Sequence, residues 1–174
     1  NASNASATIS WNTEVQSDSV IVYGTASPET GAVEWKSSSG GNGHYYLYYQ
    51  ENKTWEEAKR QAEELGGYLA TAANDQEMRF IGELTNTYTW LGGKWSGSWS
   101  WVNGETWSYE NWSGTPGGSN SYPYLYFRDW SSSNWPWDDD YSNRTRPYIV
   151  EWNGSGLGES ASAKALVTSH LVTL

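Results

Sequence analysis

The chain has no cysteine, one methionine, two phenylalanines and two histidines in 174 residues. Neither a disulfide nor a thiolate metal site can therefore form. Lys and Arg total 10 against 20 Asp and Glu, a net charge of -10. Basic residues never run more than two together, so no cationic face exists to neutralise nucleic-acid phosphates or meet an anionic membrane. Divalent cations, cationic partners and neutral sugars stay open as ligands. No apolar run approaches the roughly 20 residues of a membrane span. No signal peptide is visible, and the start reads as a mature N-terminus would.

Against these shortages stand 13 Trp and 13 Tyr. Both join a flat apolar face to a polar handle, which suits binding surfaces as well as cores. Nine of the tryptophans fall within residues 90–137. Six Asn-X-Ser/Thr sequons begin at Asn1, Asn4, Asn52, Asn111, Asn143 and Asn153. They favour an exported, glycosylated protein.

Hydrophobic periodicity divides the chain. "ATISW" (7–11) and "SVIVYGT" (19–25) are short β-branched runs, and residues 1–36 read as β. A Ser/Gly hinge follows at 37–43. "HYYLYY" (44–49) is strand-like. Thr54 with Glu57 forms a capping box, predicting a helix from Trp55 with Trp55, Ala58, Ala62 and Leu65 on one face. Gly66-Gly67 stops it, and "YLAT" (68–71) is a short strand. Asn74 caps a second helix with Met78, Ile81 and Leu84 aligned. After residue 88 the pattern is strands, "YTWLGG" (88–93) and "SWSWVNG" (98–104). A long Gly/Ser/Asn/Trp/Tyr stretch then fills 105–137, overlapped by "YPYLYF" (122–127) and followed by "PYIVEW" (147–152). Such a stretch is functional or disordered, and its tryptophans argue against disorder. A second hinge spans 153–163, and an alternating strand runs over 164–174.

The series "TWEEAKRQAEELGGYLATAANDQEMRFI", "TWLGG", "WSWVNGETWSYENW" and "WDDDYSNRTRPYIVEW" resembles the C-type lectin-like domain, in order, over residues 44–152. That implies an α+β fold with two helices, antiparallel sheets and a long irregular loop. Ser142 and Val150 stand where family cysteines commonly pair, so a cysteine-free version, commoner in prokaryotes, is implied. The flanks 1–36 and 164–174 resemble strands of a fibronectin type III sandwich interrupted by the lectin-like body.

Sugar-binding members of that family hold a calcium ion, and calcium takes six to eight oxygens. Their Glu-Pro-Asn-like triplet is here Thr115-Pro116-Gly117, and the further Glu is replaced by Ser121-Tyr122-Pro123. Of the family's ligand set only Asp138 and Asp139 remain, with Asp140 beside them. A calcium site would need added oxygens such as Asp129, Asn120 or backbone carbonyls. The competing reading is an acidic turn that caps backbone donors and pairs with Arg144 or Arg146.

Aromatic residues are the stronger ligand candidates, because sugar C–H faces pack on Trp and Tyr rings. Trp107, Tyr122, Tyr124, Trp130, Trp135 and Trp137 lie in or beside the long loop. Trp90, Trp99, Trp101 and Trp112 occupy family core positions. Enzyme chemistry finds no support. His44 and His170 lie near no nucleophile pattern, and Glu105/Glu110 or Asp129/Asp138 have only the spacing of loop acids. "GLGES" (156–160) reads as linker.

Together these readings predict an extracellular or cell-surface binding module needing no cofactor, calcium excepted if the aspartates gather further ligands. Its partner would be a glycan or a surface protein, and its role carbohydrate binding in adhesion. Two alternatives stay open: a structural subunit of a surface filament joined to its own copies by strand complementation, and calcium-independent protein recognition.

Overall fold

The computed structural model describes the backbone of 8–11 and 19–22, and residues 29–114, 117–128 and 136–154 in full. The chain divides into two compact units, Asn1–Ser27 with Gly156–Leu174, and Pro28–Ser155. In the first, β1 (Thr8–Trp11) pairs antiparallel with β2 (Ser19–Val22), Thr8 opposite Val22. The rest of the expected sandwich, including the strand over 164–174, lies outside the described residues.

The second unit is built on one mixed sheet. Its strands are β3 (Val33–Glu34), β4 (Tyr45–Thr54), β5 (Tyr68–Leu69), β6 (Trp90–Trp95), β7 (Trp99–Trp101), β8 (Tyr124–Phe127), β9 (Trp137–Asp140) and β10 (Thr145–Trp152). Their order is β3-β4-β10-β6-β8-β9, with β5 joined to β10 and β7 to β6. Two helices pack on it: α1 (Trp55–Glu64) and α2 (Asp75–Glu83).

The body begins earlier than residue 44. Val33 and Glu34 pair with Tyr46 and Tyr45, and Trp35 joins the core. The segment expected as a hinge forms a short 3-10 turn at Ser37–Ser39. Gly41 lies so close beneath Trp35 that a Cβ there would sit 2.3 Å from the Trp35 carbonyl oxygen.

Both helices start as their caps require. Thr54 Oγ1 accepts from the Glu57 amide (3.4 Å), and Glu57 Oε2 accepts from the Thr54 amide (2.9 Å). Such a cap contributes about 1 kcal/mol. Asn74 Oδ1 accepts from the Glu77 amide (2.9 Å), while the Glu77 side chain accepts from Tyr46 and from the Ala73 amide rather than from the Asn74 amide. The strand period of two sorts β10 between two clusters. Ile149 packs with Tyr46, Met78, Ile81, Leu91 and the loop tryptophans. Tyr148, Val150 and Trp152 pack with Trp55, Ala58, Ala62, Leu69 and Trp90. Burial on both faces makes β10 the spine of the fold, and fixes β9 and the long loop at one end of it.

Candidate functional site

Two groups of carboxylates stand out, one inside the body and one at the loop face. The inner group is Glu77 from α2 and Glu151 from β10, with His44 just before β4. Glu77 and Glu151 are 4% and 0% exposed. His44 Nδ1 donates to Glu151 Oε1 (2.6 Å) and the Tyr68 hydroxyl to the same oxygen (2.9 Å). Glu151 Oε2 accepts from the Thr71 amide (2.9 Å) and hydroxyl (3.2 Å). Glu77 Oε1 accepts from Tyr46 and Asn42 (both 2.7 Å), and Oε2 from the Ala73 amide (2.8 Å).

Ligand atoms of His44, Glu77 and Glu151 lie within 4.8 Å of one another, a spacing that a metal ion would bridge. Every carboxylate oxygen there already receives a protein donor, so the group is complete as a hydrogen-bonded hub. The Glu151 hydrogen bond raises the His44 pKa above its usual value against the opposing effect of burial. Burial raises that of Glu77, opposed by the Ala73 and Tyr46 hydrogen bonds. An open cleft of about 430 Å³ adjoins the hub, lined by Trp35, Asn42, His44, Glu77 and Glu105 among others.

The outer group is the aspartate triplet of β9. Alternation along a strand points neighbouring side chains to opposite faces, so the three carboxylates do not converge. Asp138 Oδ2 accepts from Arg128 (2.9 Å) and its Oδ1 from the Asp139 amide (3.0 Å). Asp140 pairs with Arg146 and, at 3.7 Å, with Arg144. The Arg146 guanidinium in turn lies 3.9 Å from the Tyr126 ring centroid, between Tyr88 and Trp90. These are the capping and arginine contacts of the acidic-turn reading.

Asp139 has a different neighbour. Its Oδ2 accepts from the Gly118 amide (2.8 Å), and burial raises its pKa. A Cβ on Gly117 would lie 2.1 Å from Asp139 Oδ1. On Gly118, at φ +123°, a Cβ would lie 2.4 Å from the Trp95 ring. The Gly117 carbonyl accepts from Trp99 Nε1 (2.9 Å). The glycine pair is thus clamped between Asp139 and two tryptophans, and main chain occupies the space beside the carboxylate. Among the described residues a calcium ion would find here the aspartates, each with at least one oxygen engaged by a protein donor, and a glycine in the triplet's last position. Among the described residues that donor set falls short of calcium's six to eight oxygens.

The aromatic candidates separate. Trp137 is fully buried, ringed by Trp101, Trp107, Tyr109 and Trp112, and is core rather than ligand surface. Tyr124 is also core: it stacks on Trp55 (4.4 Å, 10°) and donates to Glu56 (2.7 Å). Trp107 is half-buried against Trp99 and Trp101 and donates to Glu110. A body poor in aliphatics fills its core with aromatic rings, and that reverses the expectation for Trp137 and Tyr124. Trp90, Trp99 and Trp101 are buried and Trp112 half-buried, as their positions imply. Trp130, Trp135, Asp129 and His170 lie outside the described residues.

Tyr122 is exposed, and sequence reasoning gave it no partner. Its ring lies 4.3 Å from that of Tyr141, hydroxyl to hydroxyl 2.5 Å. The two are 37% and 41% exposed. Arg144 stands 6.0 Å from the Tyr141 ring. A bare Asp-Tyr-Ser turn carries no signal for this pairing; only the β8–β9 register brings the two rings together.

The comparisons with known proteins follow the same outline. The family model described as Lectin C-type domain matches residues 51–152, more than half of the chain. The chain belongs to the C-type lectin domain family. Lectin domains of this family are binding modules rather than enzymes. This one is 29% identical over 109 residues to a perlucin-like protein of Mytilus galloprovincialis, covering 56% of this chain and 69% of that protein. It is 28% identical over 152 residues to halomucin of Haloquadratum walsbyi, covering 73% of this chain but 2% of halomucin. Among solved structures, a calcium-independent type II antifreeze protein superposes with a TM-score of 0.64 at 21% identity, over 73% of this chain and 95% of that one. The carbohydrate-recognition domain of cow CD23, determined with an oligosaccharide, gives 0.60 at 16% identity, over 74% and 97%. These structural likenesses carry the fold alone. No helix among the described residues is long and apolar enough to cross a membrane.

Proposed function

We propose that this lectin domain is an extracellular module that binds a glycan without calcium, on the face carrying Tyr122 and Tyr141. The observation that carries the reading is that exposed tyrosine pair beside an aspartate triplet already bonded by protein donors. Two solvent-facing rings in contact offer an apolar platform for a sugar's C–H face. Their hydroxyls, Arg144 and the exposed Asn120 and Ser121 supply hydrogen-bonding groups around it. Membership of the C-type lectin family, which has carbohydrate-binding lectins among its homologues, supports the class of ligand. The expected setting is adhesion at a cell surface.

A glycan array run with and without a chelator tests this. Calcium-independent signal on a defined glycan set, lost in a Tyr122→Ala/Tyr141→Ala variant, is the expected result. Silence at high protein concentration sinks it and turns the face towards protein recognition.

One observation favours a second reading. Among the described residues of the separate first unit, β1 and β2 pair antiparallel, the kind of pairing a β-sandwich is built from. The flanks would then belong to a fibronectin-like sandwich completed within a longer chain or by strand addition from another copy, as in a surface filament. Mass and assembly state decide it, because a clean monomer argues against polymerisation.

A further inference from the structure

We infer that Asn143 is an N-glycan acceptor, and that its glycan stands at the rim of the tyrosine face. The six sequons are equal in sequence, and the fold makes them unequal. Asn143 and Ser142 are the central residues of a turn closed by the Arg144 amide on the Tyr141 carbonyl (3.3 Å). Every residue from Tyr141 to Thr145 is exposed. Acceptor amide and Thr145 hydroxyl are therefore both open to solvent. No hydrogen bond holds the Asn143 amide among the described residues. An N-glycosylation acceptor belongs on such a surface loop.

Asn52, Asn111 and Asn153 each have a group engaged by the fold, and Ser155 of the last lies outside the described residues. Asn52 is exposed but lies within strand β4, and the hydroxyl of its Thr54 donates to Glu57 (2.7 Å) in the helix cap. Asn111 is half-buried, with its carbonyl accepting from the Trp137 amide (2.7 Å). Asn153 Oδ1 accepts from the Tyr68 hydroxyl (2.6 Å). Asn1 and Asn4 lie outside the described residues.

The chemistry is a transfer without redox change. Asn143 Nδ2 attacks C1 of an oligosaccharide carried on a polyprenyl phosphate or diphosphate. A C1–N bond forms, the C1–O bond to phosphate breaks, and the phosphate leaves with that electron pair. Nδ2 gives one proton to a base of the transferase. The attached sugar then begins two residues from Tyr141, beside the ring pair. Occupancy of Asn143 thereby limits access to the face, a consequence that rests on the glycan-binding reading above.

The full chain, secreted from cells that transfer N-glycans, tests this by glycopeptide mass mapping. Asn143 is expected to be occupied, with the added mass lost in Asn143→Gln and Thr145→Val and kept in Thr145→Ser. A secreted chain bare at Asn143, whatever the other sequons carry, overturns the assignment. The glycosylated chain and Asn143→Gln are then compared on an immobilised glycan to which the bare chain binds. Weaker binding by the glycosylated form, by about tenfold or more, is expected; equal binding overturns the shielding. If the bare chain binds no glycan at all, the lectin reading fails, while the acceptor assignment still stands or falls on the mass data.

Discussion

The hub of His44, Glu77 and Glu151 and the triplet Asp138–Asp140 are both clusters of acids, and they differ in what surrounds them. The hub is inside the protein, fed by tyrosine hydroxyls, backbone amides and an imidazole from two stretches of the chain, 42–46 and 68–73. The triplet is at one end of the sheet, held by Arg128, Arg144 and Arg146 and by one glycine amide. Each could be mistaken for a metal site on residue type alone. In the hub, protein donors account for every carboxylate oxygen; in the triplet each aspartate has at least one oxygen so engaged. The difference lies in what is left facing solvent: beside the hub an open acidic cleft, beside the triplet a pair of tyrosine rings.

Removing a hub carboxylate should have the largest effect. Glu151→Ala strands His44, Tyr68 and the Thr71 amide and leaves a buried hole. Losing one partner of a buried charged network costs about 3–5 kcal/mol. Denaturant unfolding should show that loss, whereas Asp138→Ala, which removes a half-exposed ion pair with Arg128, should shift stability by about 1 kcal/mol or less.

Next in size is the glycine clamp. Gly118→Ala places a Cβ into Trp95 at a backbone angle that L residues avoid, and should cost about 1–3 kcal/mol. The same substitution should also alter the near-ultraviolet tryptophan signal, because Trp95 and Trp99 must move.

pH acts on the hub by a smaller margin. His44 holds its proton more tightly in the folded chain than in the unfolded one. Its contribution is therefore complete below its ordinary value of 6.5 and is lost as pH rises through the raised folded value. Glu77, also raised, acts in the same sense from its ordinary 4.5 upward. Unfolding midpoints should fall as pH climbs through this window, and His44→Gln should flatten the upper part. A midpoint rising across that range would contradict the hub as drawn.

The smallest expected effect on stability belongs to Tyr122→Ala and Tyr141→Ala. Exposed substitutions of this kind change stability by roughly 0.5 kcal/mol. Their melting curves should overlay the unaltered chain's, which makes any loss of binding attributable to the face itself.

How much of this was legible in the sequence follows from where the information sits. The helices were readable because caps and apolar spacing are local: Thr54 and Asn74 both cap as expected, and Trp55, Ala58, Ala62, Met78 and Ile81 are buried. β3 falls within the run 1–36 that reads as β, but its place in the body does not show there, because Val33 and Glu34 are tied to it only through pairing with β4. Tyr124 and Trp137 were misread because an aromatic residue in a polar loop looks the same whether it faces in or out. Glu151 offered a signal that went unused. It is an acid within "YIVEW", a strand apolar on both faces, and an acid buried in such a place must find donors. Glu77 offered less, since a Glu in the first helical turn already has an ordinary explanation. The tyrosine pair joins residues 19 positions apart and depends on register alone.

The most direct test is a titration of the unaltered chain and the Tyr122→Ala/Tyr141→Ala variant with an array-positive glycan, in a chelator and again in millimolar calcium. Equal affinity in both buffers for the unaltered chain, and loss of binding in the double variant, is the predicted result. Binding that appears only with calcium, or that survives removal of both tyrosines, would contradict it.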